Sequence, residues 1–311
     1  MREPWPARTK RTPGVGQGGG LGNDDHLPLL RGLCDDAALF PPGNAPLAEA
    51  IPAHAAYLQA DYDALVGPFV FPAPRLSELA AYVSADSPVT LSLTVPAGPS
   101  DTAAALSNAL AIPGVHVAAV EVGIPDGLDA DAAFEELSRV HAAHPDVDIF
   151  VEVPRGDRRA GYLTALETAG HSAKFRTGGI VAEAYPNEEE LADAVISVVR
   201  ANIPFKATAG LHHGVRNTDP ETGFEQHGFL NIMVAVDAAR RGADRSEIVA
   251  ALSQRDGKSI AQALADLTED EAGEVRRRFL SFGTCSISDP LTELEGLGLI
   301  VRSDKTEGTL V

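Results

Sequence analysis

From about residue 33 onward, short apolar runs alternate with longer helical patterns, and this alternation restricts the chain to folds built from parallel βαβ units. Strand-like runs fall at 37–40, 69–71, 89–95, 117–122, 149–153, 172–176 and 203–207. They are rich in β-branched or aromatic residues and stop at turns containing Gly or Pro. Helix-like stretches occupy 130–143, 159–169 and 188–201. In the last of these, Leu191, Val195, Val198 and Val199 recur at helical spacing. Glu188, Glu189 and Glu190 occupy its first turn, where the helix dipole favours negative charge.

Seven such units precede residue 212, and an eighth strand would close a barrel. The segment 228–241, GFLNIMVAVDAARR, has helical length and runs into Arg-Arg-Gly, a helix C-terminus signal. The better strand is 279–285, FLSFGTC, followed by a short helix at 290–297. The expected architecture is α/β, a (β/α)8 TIM barrel over 29–311 with a mostly helical insertion at about 214–278, between strands 7 and 8. An excursion of that length suggests a lid or an oligomer contact. An open doubly wound sheet is the alternative fold. Residues 1–28 read as a disordered tail, because Pro4, Pro6, Pro13 and the run Gly18-Gly19-Gly20 are flanked by neither strand nor helix.

Composition narrows the partners. The formal net charge of −19 repels phosphate backbones, so nucleic acid is not an expected partner. No apolar run reaches membrane-spanning length, and the basic N-terminal stretch lacks the apolar core of a secretory signal. With two distant cysteines, Cys34 and Cys285, neither a disulfide framework nor a thiolate metal module is expected, and a reducing, cytoplasmic setting is. No cofactor is called for. The expected partner is a small anionic molecule, and the chain is compatible with a homo-oligomer.

In a barrel, chemistry gathers at the C-terminal ends of strands. Those positions hold Glu121, Glu152, Lys174, Arg176, Lys206, Thr208, His212 and His213. Lysine is scarce: Lys10, Lys174, Lys206, Lys258 and Lys305 stand against twenty arginines. Two of the five nevertheless lie within strands. A lysine amine, unlike a guanidinium, can be driven to its neutral form and condense with a carbonyl. Lys174 and Arg176 are two apart and share a strand face, so Arg176 is expected to depress the Lys174 pKa, with Lys206 acting likewise from the next strand. Glu121 and Glu152 would handle protons. The plainer alternative is a structural charge network, although buried ion pairs are a poor source of stability.

Two further features accompany the lysines. His212, His213, Arg216, Glu225 and His227 form a polar cluster that could contact substrate or hold a divalent metal, though without HxH or HExxH spacing. Three small turns follow the last strands: Thr177-Gly178-Gly179, Thr208-Ala209-Gly210 and Gly283-Thr284-Cys285-Ser286. Glycine lets backbone amides approach an anion closely, so these turns are expected to bind an anionic group.

KFRTGG at 174–179, followed by FKATAGL at 205–211, resembles the deoxyribose-phosphate aldolase group of class I aldolases. Weaker matches are ALFPPG, VPAG, AVEVG, FVEVP and FGTCS, so the resemblance spans most of 37–297. It implies a carbon–carbon lyase in which Lys174 forms the Schiff base, Lys206 tunes it and Glu121 stands where the family has a proton-handling aspartate. Arg176 inside the motif, His212-His213 in place of a small turn, and the excursion at 214–278 depart from the family. These departures point to another aldehyde, keto acid or sugar acid as substrate. A metal-dependent lyase or hydrolase built on the histidines, and a non-catalytic barrel binding an anionic metabolite, are the competing readings.

Overall fold

The computed structural model describes residues 27–125 and 127–300. Eight parallel strands close into a barrel: β1 Cys34–Asp36, β2 Val66–Pro72, β3 Val89–Val95, β4 Val115–Val122, β5 Asp148–Glu152, β6 Ser172–Arg176, β7 Phe205–Thr208 and β8 Phe279–Thr284. Closure is direct, because β1 pairs in parallel with both β2 and β8. The molecule is therefore a TIM barrel and not an open sheet. The bounds of β3 and β6 coincide with those expected from the sequence, and the others shift by a few residues.

The first strand requires a correction. It is Cys34-Asp35-Asp36, and the apolar run at 37–40 forms the turn that follows it. Two adjacent carboxylates read as loop by hydrophobicity, yet both are buried, at 2% and 1% exposure. Each has a partner: Lys206 and Ser281 for Asp35, and the His54 ring, 2.9 Å away, for Asp36. Tertiary pairing thus overrides local polarity.

Helices coat the barrel. The outer layer includes α1 Leu47–Tyr57, α2 Pro99–Leu110, α3 Ala130–Ala143, α4 Arg159–Ala169 and α5 Glu188–Arg200. In α5, Asn187 caps the Glu190 amide at 2.9 Å. Its Leu191, Val195, Val198 and Val199 are buried, as their spacing implies. Each such side chain contributes roughly 1.5–3 kcal/mol relative to exposure.

Between β7 and β8 the chain forms a small antiparallel hairpin, Asn217–Thr218 with Glu225–Gln226. It then builds α6 Phe229–Arg240, α7 Arg245–Ser253, α8 Gly257–Ala265 and α9 Glu269–Arg278. Helix α6 is buried on nearly every side, and Phe229 stacks on Phe282 of β8 with centroids 4.4 Å apart. Asn231 of α6 ties the segment together. Its amide nitrogen donates to the Ala251 and Gln254 carbonyls, both at 2.8 Å, and its oxygen accepts from the Arg216 amide at 2.8 Å. Helix α9 starts with a Thr268–Glu271 capping box, ends on Arg276, Arg277 and Arg278, and runs straight into β8. A final helix, α10 Ser288–Gly296, follows.

The tail read at 1–28 lies, up to residue 26, outside the described residues; Leu27 and Pro28 belong to a helical turn, Leu27–Leu30. Among the described residues no helix is long and apolar enough to cross a membrane.

Candidate active site

Strand register puts four polar residues side by side. Glu152 of β5 is the partner of Lys174 of β6, Lys174 of Lys206 of β7, and Lys206 of Ser281 of β8. Side chains alternate across a strand, so a shared register places these four on one belt facing the barrel interior. Glu121 of β4, Asp35 of β1 and Ser92 of β3 reach the same belt from the other side.

Lys206 is the hub. Its Nζ donates to Asp35 Oδ2 and to Glu121 Oε1, both at 2.5 Å, and lies 5.3 Å from the Phe150 ring centroid. Ser281 Oγ donates to Asp35 Oδ2 at 2.8 Å, and Ser92 Oγ to Glu121 Oε1 at 2.7 Å. Lys174 Nζ takes the other Glu121 oxygen, Oε2, at 3.1 Å, and Glu152 Oε2 at 3.4 Å. The two lysines differ in access. The Lys206 side chain is sealed at 1% exposure, whereas that of Lys174 reaches 10% and its partner Glu152 28%.

These contacts fix the charges. Burial pulls the Lys206 amine down, but Asp35 and Glu121 outweigh it and hold the pKa well above that of an ordinary lysine. Burial pushes Glu121 up, but the ammoniums of Lys206 and Lys174 and the hydrogen bonds from Lys206 and Ser92 bring it down to about 2. Asp35 is raised, mainly by burial, with the attraction of Lys206 only partly offsetting it. The geometry therefore favours Lys206 as the cation and Glu121 as the carboxylate near neutral pH.

Arg176 does not act as its spacing from Lys174 implied. It is exposed at the rim and makes no hydrogen bond or ion pair among the described residues, while Lys174 faces two carboxylates. The difference arises because Arg176 is the last residue of β6, where a long side chain can turn out to water.

The glycine turns pack on one another. The Thr177 amide donates to the Thr208 carbonyl at 2.9 Å, and Thr177 Oγ1 to the Ala209 carbonyl at 2.7 Å. A Cβ on Gly178 would lie 2.7 Å from Gly210 Cα, and one on Gly210 would lie 2.6 Å from Tyr185 Cε1. Gly210 also has φ +70°, and Ala209 before it has φ 66°. Close packing under Tyr185 thus accounts for both glycines without a ligand. Gly179 abuts Ala184, and Thr208 Oγ1 lies 3.5 Å from the Phe175 carbonyl. In the third turn a Cβ on Gly283 would meet only ordinary contacts, from Thr208 and Ala37. Thr284 Oγ1 donates to the Ser286 carbonyl at 2.8 Å.

The histidines disperse. His212 Nδ1 lies 3.6 Å from Cys285 Sγ, and burial lowers its pKa, with His213 adding to the effect. His213 pairs with Glu293 of α10, and Glu225 with Thr218, Arg216 and Arg255. His227 is fully buried. Arg216 can only donate, so its 3.3 Å contact fixes His227 Nδ1 as acceptor, and Nε2–H donates to the Pro186 carbonyl at 2.7 Å. Among the described residues no three His, Cys, Asp or Glu side chains gather as a metal site requires, which removes the geometric basis for a metal centre on this cluster.

Asp35, Ser92 and Ser281 are site residues that the sequence reading missed. The available signal was burial mismatch: Ser92 sits between Leu91 and Leu93, and Asp35 follows Leu33-Cys34. A polar residue inside an apolar run needs a partner, and the scarce strand lysines were the candidates.

No family model matches the chain, and no curated protein matches it. Among solved structures it is similar to QR15, an aldolase, at 14% identity and TM-score 0.35, covering 87% of this chain and 97% of that one. It is also similar to Xanthomonas albilineans dihydropteroate synthase with 4-aminobenzoic acid, at 12% identity and TM-score 0.38, covering 87% and 92%. A third likeness is to the carboxyl transferase domain of Rhizobium etli pyruvate carboxylase, at 10% identity and TM-score 0.35, covering 89% of this chain and 55% of that one.

Proposed function

We propose that the chain is an imine-forming carbon–carbon lyase acting on a small anionic carbonyl compound, with Lys174 as nucleophile. One observation carries this reading: two strand lysines share one carboxylate, yet only Lys174 opens toward solvent. A charge network built for stability alone has no reason to leave one lysine in partial contact with solvent beside a half-buried carboxylate.

In this mechanism Lys174 passes a proton to Glu152, 3.4 Å away, and the neutral amine adds to the substrate carbonyl. Loss of water gives a protonated imine. Glu152, returned to its carboxylate by protonating the departing water, takes the proton of the β-hydroxyl; the Cα–Cβ bond then breaks, its electron pair flowing into the iminium to leave an enamine on Lys174, and the β-carbon leaves as a second carbonyl product. Reprotonation of the enamine and hydrolysis of the imine regenerate the amine. Glu121, held ionised, stabilises the iminium charge but is a poor proton carrier; the half-open Glu152 suits that task better. Lys206 keeps Glu121 and Asp35 paired throughout.

Borohydride reduction in the presence of short aldehydes and keto acids tests the proposal. A reduced adduct on the Lys174 peptide is the expected result. A trapped adduct elsewhere, or none with any carbonyl tried, would remove it.

A further inference from the structure

The rim turns after β6, β7 and β8 spend their polar groups on the protein itself. The Gly179 amide donates to the Tyr185 hydroxyl, the Thr177 amide to the Thr208 carbonyl at 2.9 Å, and the Ser286 amide to Thr284 Oγ1 at 3.3 Å. The Tyr185 ring lies where a Cβ on Gly178 or Gly210 would stand, so the ring and not a ligand covers those glycines. A phosphate ester carries about −1.5 to −2 charge on three strong acceptor oxygens, and calls for several donors at once. The amides engaged in these turns do not supply them.

Arg176 is the cation placed to meet a substrate charge beside Lys174. Lys206 is already held by Asp35 and Glu121, and Arg155 and Arg159 by Glu190. Arg176 makes no hydrogen bond or ion pair among the described residues. It shares a cleft of about 270 Å³ with Glu152, the carboxylate that faces Lys174 at 3.4 Å. Lys174 and Arg176 are two residues apart on β6, about 6.6 Å along the strand, a span that an arginine side chain covers. An anion held by Arg176 therefore lies within a few bonds of a carbonyl carbon joined to Lys174. A carboxylate matches a single guanidinium fork with its two oxygens.

We infer that the substrate is an α-keto acid with a hydroxyl β to its ketone, and that Arg176 selects it by binding the carboxylate next to the reacting carbonyl. The inference rests on the imine reading and names its substrate class. Lys174 forms the imine at the ketone carbon, and water leaves. The hydroxyl gives its proton to Glu152, the bond between the carbons α and β to the ketone breaks, and the β-carbon departs as an aldehyde. The enamine is reprotonated at carbon and water hydrolyses the imine, so the net change is one keto acid into a shorter keto acid and an aldehyde. Without Arg176 the substrate carboxylate would face Glu121 and Glu152 with no countercharge of its own.

Borohydride trapping on the Lys174 peptide, titrated with pyruvate, hydroxyacetone and dihydroxyacetone phosphate, tests the inference. Pyruvate should reach half-maximal trapping at the lowest concentration of the three. Arg176→Gln should raise that concentration by about tenfold or more, equivalent to about 1.4 kcal/mol, and shift hydroxyacetone by less than about twofold. Arg75→Gln removes the same charge from an exposed arginine paired with Glu78, and should change neither. Preferential trapping of dihydroxyacetone phosphate, or an equal effect of Arg176→Gln on pyruvate and hydroxyacetone, would overturn the inference and leave the imine chemistry intact. Titration calorimetry with oxamate, which pairs a carboxylate with an unreactive carbonyl, separates the opposite case. Oxamate binding that Arg176→Gln weakens about tenfold, with no adduct trapped from any probe, would support the carboxylate site and remove the imine chemistry.

Discussion

Lys174 and Lys206 are register partners on adjacent strands, and their ammoniums hold opposite oxygens of a single carboxylate, that of Glu121. The two are chemically unequal because only Lys206 also holds Asp35. Lys206 is the electrostatic keystone, and Lys174 can be released without stranding a buried charge.

Lys206→Met should therefore be the more damaging substitution. It leaves Asp35 and Glu121 facing each other in a sealed interior, with only Ser281, Ser92 and Lys174 to compensate. Removing one partner from a buried ion pair costs about 3–5 kcal/mol, and urea unfolding should report a loss in that range.

Lys174→Arg should separate charge from chemistry. The guanidinium keeps a cation against Glu121 and Glu152 but cannot form an imine. Unfolding free energy should fall by less than half the Lys206→Met loss, while borohydride trapping disappears. Trapping that survives the substitution would exclude Lys174 as the nucleophile.

The barrel was legible because its strands are short apolar runs between helices of strong 3.6-residue period, and that pattern depends on local sequence alone. Val89–Val95 and Ser172–Arg176 emerged with their bounds intact. What escaped was whatever depended on a partner distant in sequence. Cys34–Asp36 looks like a loop until Lys206, 171 positions away from Asp35, supplies its countercharge. The orientation of Arg176 was misjudged for a related reason: alternation fixes the side on which a residue leaves a strand, but at a strand end a long side chain is free to bend toward water. The histidines clustered in sequence, yet Cys285 after β8, Glu293 of α10 and the Pro186 carbonyl give His212, His213 and His227 each a separate partner.

His227 should make the hairpin region sensitive to acid. Burial and the neighbouring Arg216 bring its folded pKa down to about 4, below the roughly 6.5 of an unfolded histidine. A depressed folded pKa means that the unfolded state binds the proton first. This stabilising contribution is complete above about pH 6.5 and is lost as the pH falls through about 4. Denaturation across that window should show a decline of about 3 kcal/mol from this group, and His227→Gln should flatten it. A pH dependence unchanged by the substitution would mean that His227 already binds its proton in the folded protein.

The strained turn after β7 gives two opposed expectations. Ala209 and Gly210 both have positive φ, at 66° and +70°. Left-handed backbone costs an ordinary residue roughly 1–2 kcal/mol, whereas glycine adopts it freely. Ala209→Gly removes that strain but gives the unfolded chain about 0.4–1 kcal/mol of extra freedom, so stability should rise by about 1.6 kcal/mol at most. Gly210→Ala adds strain, and its Cβ would also lie 2.6 Å from Tyr185 Cε1 and 2.9 Å from Gly178 Cα. The tyrosine ring can move, but the Gly178 backbone cannot do so without disturbing the turn that follows Lys174. The loss should exceed about 2 kcal/mol, combining left-handed strain with overpacking. Trapping at Lys174 should weaken with it, because the displaced backbone is continuous with β6. Thermal unfolding of the two variants, measured side by side, checks the sign of both effects.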